Sequence, residues 1–87
     1  AFVEAMVAGG IKLGLSEKDA TELTIQTIVG AAGMLETSGK SPKELRENVT
    51  SPNGTTAAAI ANFTKSDLTR IVKDAMKAAH DRSIELG

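Results

Sequence analysis

The sequence contains no cysteine, tryptophan or tyrosine, and its only aromatic residues are Phe2 and Phe63. Without thiols there is no disulfide, no thiolate metal site and no cysteine nucleophile. One histidine, His80, cannot make a zinc site by itself, so no metal is expected. Charge of either sign is not in excess, with 10 Lys and Arg against 11 Asp and Glu. No basic stripe interleaved with aromatics occurs, which argues against a nucleic-acid partner. The longest apolar run, Ile28 to Leu35, falls far short of the roughly 20 residues that cross a bilayer, so no membrane partner is expected. No charged and apolar leader opens the chain, and a cytoplasmic location is the expectation. Strand signals are missing as well: no run of β-branched or aromatic residues alternates polar with apolar.

What is present is helix, with its punctuation. The 87 residues fit one small all-α domain of about five helices. The first spans about Phe2 to Leu13, and Gly14 supplies a left-handed stop. Gly9 and Gly10 lie inside it, and close approach by another helix would account for them. The second starts at Ser16 as N-cap, with Glu17 and Asp19 in its first turn, Leu15 stapling onto Ala20, and a stop at Gly39. Its middle, Ile25 to Leu35, is apolar on nearly every side, and a helix of that kind is buried on every side. A chain of this size barely supplies the surrounding protein, so a partner subunit is expected, with Gly30, Ala31, Ala32 and Gly33 allowing a tight crossing. The third helix is short: Ser41-Pro42-Lys43-Glu44 gives N-cap, proline at the first helical position and a capping glutamate, and Asn48 ends it. The fifth runs from about Ser66 to Leu86, with Asp67 in its first turn and Leu68, Ile71, Val72, Ala75, Met76, Ala79 and Leu86 on one apolar face. The helical pattern is already running at Phe2, with no cap before it, which reads as a fragment of a longer protein.

The fourth helix, about Thr55 to Asn62, begins without an acidic residue in its first turn, Thr55-Thr56-Ala57-Ala58-Ala59. A carboxylate there would complement the helix dipole and bond the free amides, as expected in the second, third and fifth helices. In the loop before it, Pro52 favours an extended Ser51, and Asn53 and Gly54 are the residues that most readily take positive φ. Ser51, Thr55 and Thr56 add three hydroxyls. Bare amides, small side chains and hydroxyls at a helix start suit an anion such as a carboxylate or phosphate. The same residues also read as ordinary turn and cap residues, and spacing alone leaves both readings open.

A family resemblance bears on that choice. Val49-Thr50-Ser51-Pro52-Asn53-Gly54-Thr55-Thr56 resembles the V-T-S-P-G-G-T-T signature of the pyrroline-5-carboxylate reductases. Gly10-Ile11-Lys12-Leu13-Gly14-Leu15 is similar to the family's G-V-K-L-G-L, and Thr27-Ile28-Val29-Gly30-Ala31-Ala32 to its T-V-x-G-A-A. Asp74-Ala75 and the run Arg82 to Gly87 resemble its C-terminal helix. The resemblance implies that residues 1–87 are the C-terminal helical domain of such a reductase, interlocking with a second copy as a homodimer or larger homo-oligomer. The implied N-terminal dinucleotide-binding domain lies outside this chain and would bind most of an NADPH or NADH cofactor. The implied reaction is reduction of 1-pyrroline-5-carboxylate to proline.

The resemblance also implies roles. The amides of Gly54, Thr55 and Thr56 would hold the substrate carboxylate, the Thr56 hydroxyl would bond the ring nitrogen as the catalytic group, Ser51 would help position the substrate, and Val49 would lie near the nicotinamide. Asn53 stands in the substrate loop where the family usually has glycine; at positive φ it is the side-chain-bearing residue that fits best, but it would crowd a close-packed ligand. The fragment alone is expected to be inactive.

Other residues read as structural. His80 and Lys12 lie late in their helices, where basic residues are favoured. Three glycosylation triplets, at Asn48, Asn53 and Asn62, read as chance without a secretion signal. Glu22, Glu36, Glu44 and Glu47 show no paired spacing that would mark acid–base chemistry. Two other readings share the helical fold: a non-catalytic oligomerisation module, and a reductase paralogue with another substrate.

Overall fold

The computed structural model describes residues 1–87 and contains five helices: α1 (Phe2–Lys12), α2 (Glu17–Thr37), α3 (Pro42–Asn48), α4 (Thr55–Lys65) and α5 (Leu68–Leu86). The chain divides into two units, Ala1–Leu45 and Arg46–Gly87, with α3 running across the division.

In the first unit α1 and α2 form a helical hairpin. Gly14 closes it at φ 110°, in the region where glycine has no Cβ penalty. The expected cap of α2 is present: the Asp19 amide donates to Ser16 Oγ at 3.1 Å. The two interior glycines of α1 differ in what surrounds them. A Cβ on Gly10 would sit 3.1 Å from the Ala20 Cβ and 3.4 Å from Leu15 Cδ1, whereas a Cβ on Gly9 would meet nothing within 4 Å. Gly10 is therefore where α2 comes close, and Ala20 beneath it is 2% exposed. Gly9→Ala is expected to stabilise the hairpin by up to about 1 kcal/mol through helix propensity. Gly10→Ala should lose that gain to overpacking of about 1–3 kcal/mol, so thermal melts of the two variants should move apart.

Only Ala20 and Thr24 are buried in the whole chain. The apolar middle of α2 is uncovered: Ile25, Val29, Met34 and Leu35 are exposed, Val29 by 61%. A Cβ on Gly30 or Gly33 would likewise meet nothing within 4 Å, so no other helix of the first unit crosses there. The 87 residues expose 7260 Å². Two separate compact bodies, each of half this mass, would expose together only about 5,900 Å² by the usual area–mass scaling. The chain taken singly thus leaves over a thousand Å² uncovered that a self-sufficient fold would bury.

Two more caps follow the sequence pattern. The Glu44 amide donates to Ser41 Oγ at 3.1 Å, and the Ser41 amide donates back to Glu44 Oε1 at 3.4 Å, a reciprocal capping box at the start of α3. Gly39 ends the preceding segment at φ 72°.

In the second unit α4 and α5 pack through a two-residue connection, Ser66 and Asp67. Their boundaries differ from the sequence pattern. α4 continues to Lys65 because nothing in Phe63-Thr64-Lys65 breaks a helix, and the Ser66 amide still donates to the Asn62 carbonyl at 3.0 Å. α5 starts at Leu68, not at Ser66, because Asp67 takes a left-handed conformation, φ 61° and ψ 49°. Asp67 is therefore the residue before the helix, and the first turn of α5 carries no acidic side chain. Its carboxylate accepts from Arg70 Nε at 2.9 Å and caps no amide. Ion pairs line the exposed side of α5: Lys77 with Asp81 at 2.7 Å and Arg82 with Glu85 at 2.9 Å. The Lys77 ammonium, and secondarily the His80 ring at 3.3 Å, hold the Asp81 carboxyl below the ordinary aspartate value. The pair is solvated and adds little to stability. The apolar face of α5 is open, with Met76 68% exposed.

Candidate substrate-binding turn

Every candidate residue lies on one continuous stretch of the second unit, from the end of α3 into the first turn of α4. Thr50 anchors its start. Its amide donates to the Glu47 carbonyl at 3.2 Å and its hydroxyl to the Arg46 carbonyl, so the end of α3 is closed by the residue just beyond it. The sequence pattern includes Thr50 in the signature but gives it no role; the available signal was a threonine placed four residues after a carbonyl at a helix end.

Ser51 to Gly54 form a turn. The Gly54 amide donates to the Ser51 carbonyl at 3.0 Å. Asn53, exposed, carries the positive φ of the turn, 59°. Gly54 is extended, with φ −85° and ψ −178°, a conformation open to any residue. Glycine is favoured there for a different reason: a Cβ would lie 3.2 Å from the Ser51 carbonyl oxygen and 3.4 Å from the Ser51 Cβ. Two sequence expectations are refined here. Of the two residues suited to positive φ, Asn53 adopts it and Gly54 does not. The Gly54 amide, expected to face an anion, is engaged within the turn.

The amides that follow are uncapped. Gly54 is the N-cap of α4 and offers no side chain, no side-chain cap bond forms, and no acidic residue lies in the first turn. α5 shares the missing first-turn carboxylate but is preceded by the charge of Asp67; α4 has no charge at either place. The first amides of a helix have no partner within it, which leaves Thr55, Thr56 and Ala57 as donors. Thr55 is exposed, while Thr56 and Ala57 are half-buried. Threonines deeper in α2 donate their hydroxyls to the carbonyl four residues back, as Thr21, Thr27 and Thr37 do at 2.7–2.8 Å. Thr56 has Pro52 at that position, outside the helix, so its hydroxyl is not drawn into the same bond. Ser51 is exposed at the turn, and Val49 presents an exposed apolar side chain just before it.

A groove of about 230 Å³ in this unit is lined by residues of the C-terminal half of α4 and the start of α5, including Phe63, Asp67 and Leu68, with Arg46 of α3. None of the candidate residues lines it. No helix is long and apolar enough to cross a membrane.

Set against known proteins, residues 1–86 match the family model described as pyrroline-5-carboxylate reductase dimerisation. The chain belongs to that family. A pyrroline-5-carboxylate reductase of Pseudomonas aeruginosa is 50% identical over 85 residues, 98% of this chain and 31% of the relative. One from Pisum sativum is 42% identical over 84 residues, 97% of this chain and 31% of the relative. Among solved structures, a Plasmodium falciparum pyrroline carboxylate reductase with NADP bound superposes with a TM-score of 0.91 at 33% identity, over 94% of this chain and 31% of that one. The chain thus spans about a third of the length of these reductases. The family assignment agrees with the resemblance carried by Val49–Thr56 and with the all-α fold.

The loop can be tested for its backbone geometry. Asn53→Ala is expected to destabilise the protein by about 1 kcal/mol, because alanine tolerates positive φ poorly, while Asn53→Gly should be close to neutral. Urea denaturation of the two variants beside the parent reads the difference.

Proposed function

We propose that this chain is the C-terminal, dimerising and substrate-binding domain of a pyrroline-5-carboxylate reductase, which reduces 1-pyrroline-5-carboxylate to proline with NADPH or NADH. The observation that carries the reading is the uncapped start of α4 directly after the Ser51–Gly54 turn, in a chain that belongs to this family. The substrate is a carboxylate beside a cyclic imine. The Thr55 and Thr56 amides hold its carboxylate, with the positive end of the α4 dipole behind them. Ser51 closes over the same group from the turn. The Thr56 hydroxyl bonds the ring nitrogen, fixing the C5=N bond for attack. When hydride reaches C5, the nitrogen gains the electron pair of the double bond and takes a proton.

The nicotinamide cofactor supplies the hydride, and a nucleotide-binding domain outside these residues holds most of it. Val49, apolar and exposed, fits a place beside the nicotinamide ring. Asn53 has its side chain in solvent and its positive φ satisfied, so it shapes the turn, and Gly54 acts by its lack of a Cβ. The chain works as one subunit of a homodimer or larger homo-oligomer, since its apolar helix faces have no cover of their own. Alone it should not turn over.

Titrating proline into the complete reductase with NADP bound, while following backbone amide resonances, tests the site. The Thr55 and Thr56 amides should shift on saturation and the Gly54 amide should move less. A non-catalytic oligomerisation module would leave all three in place.

A further inference from the structure

We draw no further inference here: the strongest candidate, the groove between the C-terminal half of α4 and the start of α5 with Arg46 at its edge, carries none because nothing in the structure shows what covers it.

Discussion

A complete reductase carrying Thr56→Ala is expected to lose about 5- to 150-fold in kcat/KM, most of it in kcat. The range follows from removing one hydrogen bond to a reacting atom, about 1–3 kcal/mol, at about 1.4 kcal/mol per decade. The direction of the split follows from the separate roles proposed for the Thr56 amide and hydroxyl. Alanine keeps the backbone amide at position 56, so the donors proposed for the carboxylate remain and ground-state binding should change little. What disappears is the hydroxyl, which the Thr56 position leaves out of the carbonyl bonding seen at Thr21, Thr27 and Thr37. Helix stability should not confound the result, because alanine is the better helix former and Thr56 caps nothing. Thr56→Ser restores a hydroxyl at the same place and should recover most of the loss. Steady-state kinetics in both substrates, with the nicotinamide KM as an internal reference, checks this. A Thr56→Ala enzyme with parental kcat would remove the hydroxyl from the chemistry and leave α4 at most a carboxylate-binding role.

How far the sequence could be read depends on how local each signal is. The starts of α2 and α3 were legible because a serine oxygen and an amide three residues on meet within one turn, whatever the rest of the chain does. The stops at Gly14 and Gly39 were legible because positive φ strongly favours glycine. The junction of α4 and α5 was not. Asp67 takes the left-handed conformation there, and an aspartate in that state has no distinctive sequence signature. The turn before α4 shows a subtler limit. Composition marks Asn53-Gly54 as a place for positive φ but does not say which residue has it. In the structure Asn53 has it, Gly54 has a steric role against Ser51, and the Gly54 amide is bonded to the Ser51 carbonyl and so is not a free donor. The bareness of α4 itself was legible, since an absent carboxylate is visible in any sequence. The proposal that a small ring acid uses it rests on the resemblance of Val49–Thr56 and not on spacing.

The same distinction governs the largest effect expected outside the site. Val29→Asp in the complete protein should abolish association and leave a poorly folded monomer. Periodicity shows that the middle of α2 is apolar on nearly every side, and the structure shows that nothing in its own unit covers it: Ile25, Val29, Met34 and Leu35 are all exposed, and neither α1 nor the chain up to Leu45 crosses at Gly30 or Gly33. A water-facing stripe of this size is unstable in a free subunit and stable in a shared core. Aspartate at its centre would carry an unpaired charge into that core, at a cost of several kcal/mol for each copy, and a symmetric dimer takes the insult twice. Sedimentation equilibrium across a hundredfold concentration range should therefore show monomer for Val29→Asp where the parent stays assembled. Lys73→Glu on the charged side of α5 is the control, expected to leave the assembly intact. If Val29→Asp sediments as the parent does, the uncovered face of α2 is not the surface that joins the subunits, and the open face of α5 around Met76 becomes the one to mutate next.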